Sequence, residues 1–157
     1  MLISEGNGGD NVDVYNTFHE ILVNLFNDIM AIEEKAIITE EFKDISNNDM
    51  HVIEAIGLDC ARNMSAVAKD LSVTVGTLTI AINNLVKKGY VERMRSEKDR
   101  RVVLISLSLK GEKAFRHHQD FHEKMIRATV EGMTEEEAQI LVRALTNLNN
   151  FFKEYQD

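Results

Sequence analysis

The chain has 157 residues with 18 Lys or Arg against 26 Asp or Glu, a formal charge of −8, which suits about one domain and argues against a basic nucleic-acid-binding surface covering the whole protein. Hydrophobic residues make up 44%, Pro is absent and Gly numbers only 8, which excludes a collagenous or disordered chain. A single Cys cannot close an internal disulfide, no run approaches about 18 apolar residues, and no basic start leads into an apolar stretch; a cytoplasmic setting with no membrane partner and no signal peptide is expected.

Residues 1–11 (MLISEGNGGDN) are polar and Gly-rich and read as a mobile tail or an expression remnant. A first helix follows within residues 12–45. Val14, Phe18, Ile21, Leu22, Leu25, Phe26, Ile29 and Met30 recur there at spacings of three and four. This stripe suits a helix facing both a core and a partner chain, or the core helix of a monomer. Residues 43–57 hold a second helix. Ser46 and Asp49 form a capping pair at its start, Met50, Ile53 and Ile56 face inward, and Gly57 stops it.

Two short helices come next. Asn63 caps residues 64–71, where Met64, Val67, Ala68 and Leu71 are the inward set. A turn at Ser72 and Val73 leads to Thr74, which caps residues 75–88. Leu78, Ile82, Leu85 and Val86 form the inner stripe of that helix and Gly89 ends it. Helix, short turn, helix is the helix-turn-helix pattern. Over residues 90–107 the period changes to two. Val91, Arg93 and Arg95 share one strand face, Val103, Ile105 and Leu107 alternate on the return, and a charged tip at residues 96–100 separates them. A β-hairpin in this place makes a winged helix.

Ser108 caps a long helix reaching about residue 131, with Ala114, His118, Phe121, His122, Met125 and Thr129 along one face. Thr134 and Glu137 form a capping box, and the last helix carries Ala138, Leu141, Leu145, Leu148, Phe151 and Phe152. The expected fold class is mainly α with a small β-wing. It is a winged helix-turn-helix over residues 46–108, with additional dimerisation helices at the N-terminal side (12–45) and the C-terminal side (109–157). Those outer helices are surplus to a winged helix. A second copy packed on their apolar stripes would make a two-fold homodimer.

Charge is unevenly distributed. Residues 62–116 hold 12 Lys or Arg against 5 Asp or Glu, and the remainder holds 6 against 21. A basic block in an acidic chain is the footprint of a local phosphate-facing surface, or simply of a solvated mixed patch. The outer side of the 75–88 helix offers Thr77, Thr79, Ile80, Asn83, Asn84, Lys87 and Lys88. Gly76 and Thr77 permit close approach to a major groove, Thr hydroxyls and Asn amides suit base edges, and Ile80 suits a thymine methyl. The first-turn amides of the same helix suit a phosphate. A polar solvated face would carry the same residues, and the wing tips the balance. Arg93 and Arg95 project from one strand face, and Lys98, Arg100 and Arg101 crowd the tip. Asp99 stands close enough to orient the Arg101 guanidinium for a narrow minor groove. A helix-turn-helix with a cationic wing points to double-stranded DNA.

The run GTLTIAINNLVKKGYVERMRSEKDRRVVLISLSLKG resembles the winged-helix core of MarR-type repressors, most specifically in its tip Asp99-Arg100-Arg101. The resemblance extends from about Val12 to the end of the chain. FKDIS, MHVIEAIG, NNLVKKGYVERMRSEKDRRVV, EGMTEEE and LTNLNNF make it most similar to the fatty acid biosynthesis repressors of streptococci and their relatives. The resemblance implies a homodimer on a pseudo-palindromic operator, with half-sites one helical turn, ~34 Å, apart. It implies Thr77, Thr79 and Asn83 in the major groove, Arg101 held by Asp99 in the minor groove, and Ser65, Thr74, Lys87, Arg93 and Arg95 at or near phosphates. It also implies repression of fatty acid biosynthesis genes, with acylated acyl carrier protein as co-repressor. Asn63 and Met64 depart from the Thr-Pro type start of many members, which bears on capping more than on readout.

Acyl carrier protein is strongly acidic and should seek cations. Outside the basic block these are Lys35, Lys43, Lys124, Arg127, Arg143 and Lys153. Lys35, Lys43 and Lys124 are the expected docking cations. Leu22, Phe26, Met50 and Ile53 are candidates for an acyl channel, and each also reads as plain core. A rival on the same scaffold is a zinc-responsive regulator using His118 and His122, spaced i, i+4, with His117 adjacent and Glu33, Glu34, Glu40 and Glu41 as nearby acids. Buried or interfacial histidines are the simpler reading. Cys60 has Arg62 near it, but Asp59 beside it and no second Cys, so thiol sensing is not expected. No nucleophile stands beside a base and no Gly-rich phosphate loop occurs, so neither catalysis nor a cofactor is expected.

Overall fold

Capping side chains set the helix boundaries in the middle of this chain. In the computed structural model, which describes residues 10–37, 39 and 41–154, the order is α1 (Asp10–Ile37), α2 (Asn47–Ile56), β1 (Arg62–Asn63), α3 (Met64–Asp70), α4 (Val75–Lys87), β2 (Val91–Arg95), β3 (Val103–Leu107), α5 (Leu109–Val130) and α6 (Glu135–Glu154). Ser46 Oγ accepts from the Asp49 amide and Asp49 Oδ2 accepts from the Ser46 amide, both at 3.1 Å. Asn63 Oδ1 accepts from Ala66 N at 2.8 Å, and Thr74 Oγ1 from Thr77 N at 3.1 Å. Each bond satisfies a first-turn donor that the helix itself leaves open. Gly57 and Gly89 follow α2 and α4 at φ +73° and +82°, where a side chain is strained.

The fold is mainly helical with a three-stranded antiparallel wing, in the order β1-β3-β2. β2 and β3 pair with Val91 opposite Leu107, Arg93 opposite Ile105 and Arg95 opposite Val103. β1 adds only Arg62 and Asn63, opposite Ile105 and Leu104. The chain divides into two compact units, Met1–His118 and Gln119–Asp157.

In the first unit α2 contributes Met50, Ile53 and Ile56 to the core, α3 Val67 and Ala68, α4 Leu78, Ile82 and Leu85, and the wing Val91, Ile105 and Leu107. Each fully buried Leu or Ile contributes on the order of 1.5–3 kcal/mol. Phe42 and Ile45, ahead of α2, are also buried, and so is Tyr90. Val86 differs from expectation: it is exposed. At 3.6 residues per turn it lies about 80° round from Leu78, at the margin of the stripe, whereas Leu85 falls almost directly in line.

A polar junction joins the elements around Tyr90. The Tyr90 hydroxyl donates to Asp44 Oδ1 at 2.6 Å, and Lys110 Nζ lies 4.0 Å above the Tyr90 ring and 3.3 Å from Asp44 Oδ2. Lys88 Nζ donates to Asp49 Oδ2 at 2.7 Å. The Tyr90 bond, with help from Lys110, holds the Asp44 carboxyl below the usual carboxylate range. Burial, and then the hydrogen bond to Asp44, push the Tyr90 phenol well up. Gly111 packs here without a side chain, because a Cβ would lie 2.1 Å from the Tyr90 carbonyl oxygen.

α1 begins at Asp10, so residues 10 and 11, expected in the tail, are helical; residues 1–9 lie outside the described residues. On α1, Val14, Phe18, Ile21 and Leu25 are exposed, Phe18 at 55%. In the second unit, Thr134 and Glu137 form the expected capping box, Thr134 N donating to Glu137 Oε2 at 2.8 Å and Glu137 N to Thr134 Oγ1 at 3.2 Å. The Thr134 amide lowers the Glu137 carboxyl below its ordinary range. None of the residues of α6 is buried, and Phe152 is 49% exposed. Among the described residues no single helix is long and apolar enough to cross a membrane.

Candidate nucleic-acid interface

Leu78, Ile82 and Leu85 turn one side of α4 into the core, so the other side is presented outward. Gly76, Thr77, Ile80, Asn83, Asn84 and Lys87 are exposed there, Ile80 at 67%. Thr79 is half-buried and its hydroxyl donates to Val75 O at 2.7 Å, so its proton is committed to its own helix. Thr74, besides capping, has its Oγ1 2.9 Å from that of Thr77. A Cβ on Gly76 would meet only Thr74 Oγ1 at an ordinary 3.7 Å, so the fold itself does not demand glycine there. Ser65, on α3, is exposed and lines a shallow recess with Arg101 and Val103.

The wing tip is built around Ser96 and Asp99. Ser96 N donates to Val102 O at 3.0 Å and Val102 N to Asp99 O at 2.9 Å, closing the turn. Asp99 Oδ1 accepts from the Arg101 amide at 3.0 Å and lies 3.4 Å from its Nε. The Arg101 side chain is otherwise 93% exposed. An ion pair so wet contributes about 0–1 kcal/mol to stability, so its effect is on where the guanidinium points. Arg95 and Lys98 are exposed on the same hairpin. Arg93 is placed differently from a free phosphate-seeking side chain: its Nη2 donates to Asn83 Oδ1 at 2.7 Å. The pleat explains this. Val91 turns into the core, and Arg93, two residues on, leaves β2 on that same side, where α4 runs.

Met50 and Ile53 are fully buried in the core. A groove of about 660 Å³ beside α4 is lined by Val52, Leu71, Val73 and Ile80 among others, with neither Met50 nor Ile53 in its wall. Leu22 is half-buried on α1, and the Phe26 side chain lies outside the described residues, as do those of Glu33, Glu34 and Glu40. Lys35 and Lys43 are exposed in the first unit and Lys124 in the second. His118 is fully buried with Nδ1 2.7 Å from Glu54 Oε1. His117 Nε2 lies 2.8 Å from Ala36 O. His122, in the second unit, has its ring 5.7 Å from that of Phe121. Cys60 is exposed. The Tyr90 junction and the Arg93–Asn83 bond carry no signal in linear sequence beyond the strand alternation that puts Arg93 on the same side of β2 as Val91.

Residues 33–117 match the family model described as transcriptional regulator SarA/Rot. A crystal structure of Streptococcus pneumoniae FabT in complex with DNA is 44% identical, covering 89% of this chain and 98% of that one, with a TM-score of 0.80. The regulator SarZ of Staphylococcus epidermidis is 34% identical over 104 residues, 65% of this chain and 69% of SarZ. The Bacillus subtilis regulator YpoP is 29% identical over 82 residues, 52% of this chain; the chain spans little more than half, 56%, of that relative's length.

Proposed function

For a chain that belongs to the MarR/SarA family of winged-helix, DNA-binding transcriptional regulators, we propose the more specific role of a homodimeric repressor of fatty acid biosynthesis genes, working in the cytoplasm. In this reading each copy lays the outward side of α4 in a major groove, with Thr77, Asn83 and Ile80 at base edges. Val75 and Gly76 offer first-turn amides to phosphate, and Ser65, Thr74, Lys87 and Arg95 stand along the backbone. Arg101 enters the flanking minor groove. The observation that carries the reading is one exposed helix face beside an Arg101 oriented by Asp99, in a chain so similar to DNA-bound FabT.

The second copy is supported by apolar residues left uncovered on α1 and α6. Two-fold pairing would set the half-sites ~34 Å apart on a pseudo-palindrome. Acylated acyl carrier protein is the proposed co-repressor, an acidic partner for Lys35, Lys43 and Lys124. The test is an operator-shift assay on a fatty acid biosynthesis promoter with apo carrier, acylated carrier, or zinc added. Tighter binding with acylated carrier alone supports the reading. Reversing the charge of the three lysines should abolish that gain and spare basal binding. A response to zinc alone replaces the carrier with a metal effector.

A further inference from the structure

Asn83 is the residue of α4 most able to read a base, since its amide carries both a donor and an acceptor. Full use of both ends recognises adenine: the carbonyl accepts from N6 while the NH2 donates to N7. In this protein the acceptor end is already engaged, with Arg93 Nη2 2.7 Å from Asn83 Oδ1. A guanidinium has donors only, so the amide oxygen must be the end facing Arg93 and the NH2 the end left over. The oxygen keeps a second lone pair, but that lone pair sits beside a cation, which repels a further amino donor.

We propose that Arg93 is a specificity-determining residue that makes Asn83 a donor-only reader. Such a reader pairs with guanine O6 and N7 or thymine O4 in the major groove; at adenine it keeps only the single bond to N7, and the N6 amino group meets an amide oxygen already taken by a cation, so the bidentate pairing is lost. The wing thus edits what the recognition helix reads, through a bond set by strand alternation: Val91 turns into the core and Arg93, leaving β2 on the same side, stays exposed and reaches Asn83. Arg93 and Asn83 are both exposed, so neither is needed to complete the core. The inference rests on the reading of α4 as the major-groove element.

The experiment is selection of bound duplexes from a pool randomised over about twenty base pairs, using the full chain and three variants, with the bound fraction sequenced at two salt concentrations. Asn83→Ala should flatten base preference at one position of each half-site. The unaltered protein should prefer guanine or thymine to adenine there by about tenfold, the discrimination of a good base contact. Arg93→Met should swing that same position toward adenine, and Arg93→Lys, which still donates, should hold the original preference. Unchanged unfolding temperatures would confirm that the variants fold. If Arg93→Met weakens all sequences alike, with a shallower salt dependence and no shift at the Asn83 position, Arg93 is a phosphate contact and the inference fails while the reading of α4 stands. If Asn83→Ala alters preference nowhere, the reading of α4 fails and the inference falls with it.

Discussion

The winged-helix segment and the outer helices α1 and α6 are both rich in apolar residues, yet they dispose of them in opposite ways. Met50, Ile53, Leu78, Ile82 and Ile105 are buried within one copy. Phe18, Ile21, Leu145 and Phe152 are about half exposed. Spread singly, such residues would need no explanation, but helix-spaced stripes of them mark surfaces awaiting a partner. The winged-helix segment is therefore folded by contacts inside one chain, whereas in the proposed homodimer the outer helices would be covered, and so stabilised, by a second copy. Mutations in the two regions should fail differently.

The largest effect is expected from Gly111→Ala. A methyl 2.1 Å from the Tyr90 carbonyl forces backbone apart, and urea unfolding should show a loss of about 3 kcal/mol, independent of protein concentration. A loss that disappears at high concentration would place the junction in the intermolecular class instead. Paired substitution of Leu145→Asp and Phe152→Asp should do the reverse. Sedimentation should show monomers, and operator affinity should drop about a hundredfold because two linked half-site contacts become independent. An intact dimer would remove α6 from the interface.

Tyr90→Phe comes next. It deletes one bond to a carboxylate and should cost about 1.5 kcal/mol. The same junction sets a pH dependence. Asp44 titrates below its ordinary 3.8 in the folded chain, so its contribution is present above that pH and drains away as acid carries the solution through the lowered value. Tyr90 is shifted upward, so its contribution is present below its ordinary 10.0 and is lost as the solution becomes more alkaline than that. Stability profiles of the native protein and Asp44→Asn should differ above about pH 4 and converge in stronger acid. The smallest effect tests the reading head alone. Gly76→Ala should raise stability by about 0.5 kcal/mol, since the methyl meets only Thr74 Oγ1, while lowering affinity for operator DNA. Affinity unchanged by that methyl would mean α4 does not approach DNA at its first turn.

Local chemistry explains which parts of the molecule are readable in advance. The caps at Ser46, Asn63, Thr74, Ser108 and Thr134 and the stop at Gly57 are written in a few consecutive residues, and each is found where that pattern puts it. The Asp99–Arg101 tether is equally local. β1 is not readable, because two residues have no periodicity and exist as a strand only through pairing with β3. The bonds from Tyr90 to Asp44 and from Lys88 to Asp49 span 46 and 39 residues, so nothing near either end announces them. Val86 shows the limit of periodicity itself, since an apolar residue at the margin of a stripe has no local cue for which way it turns.

The end of α4 and the start of α5 share more than proximity. The carbonyl of Lys88 accepts from Lys110 Nζ at 3.1 Å, that of Gly89 from Ser108 Oγ at 2.6 Å, and that of Tyr90 from Ser108 N at 2.9 Å. Three successive peptide oxygens are thus welded to the root of the long helix, with Gly111 closing the gap. Within one protomer there is no free swivel here. Any effector that tilts the root of α5 carries the end of α4 with it, so in the proposed homodimer the distance between the two copies of α4 becomes the quantity such an effector adjusts.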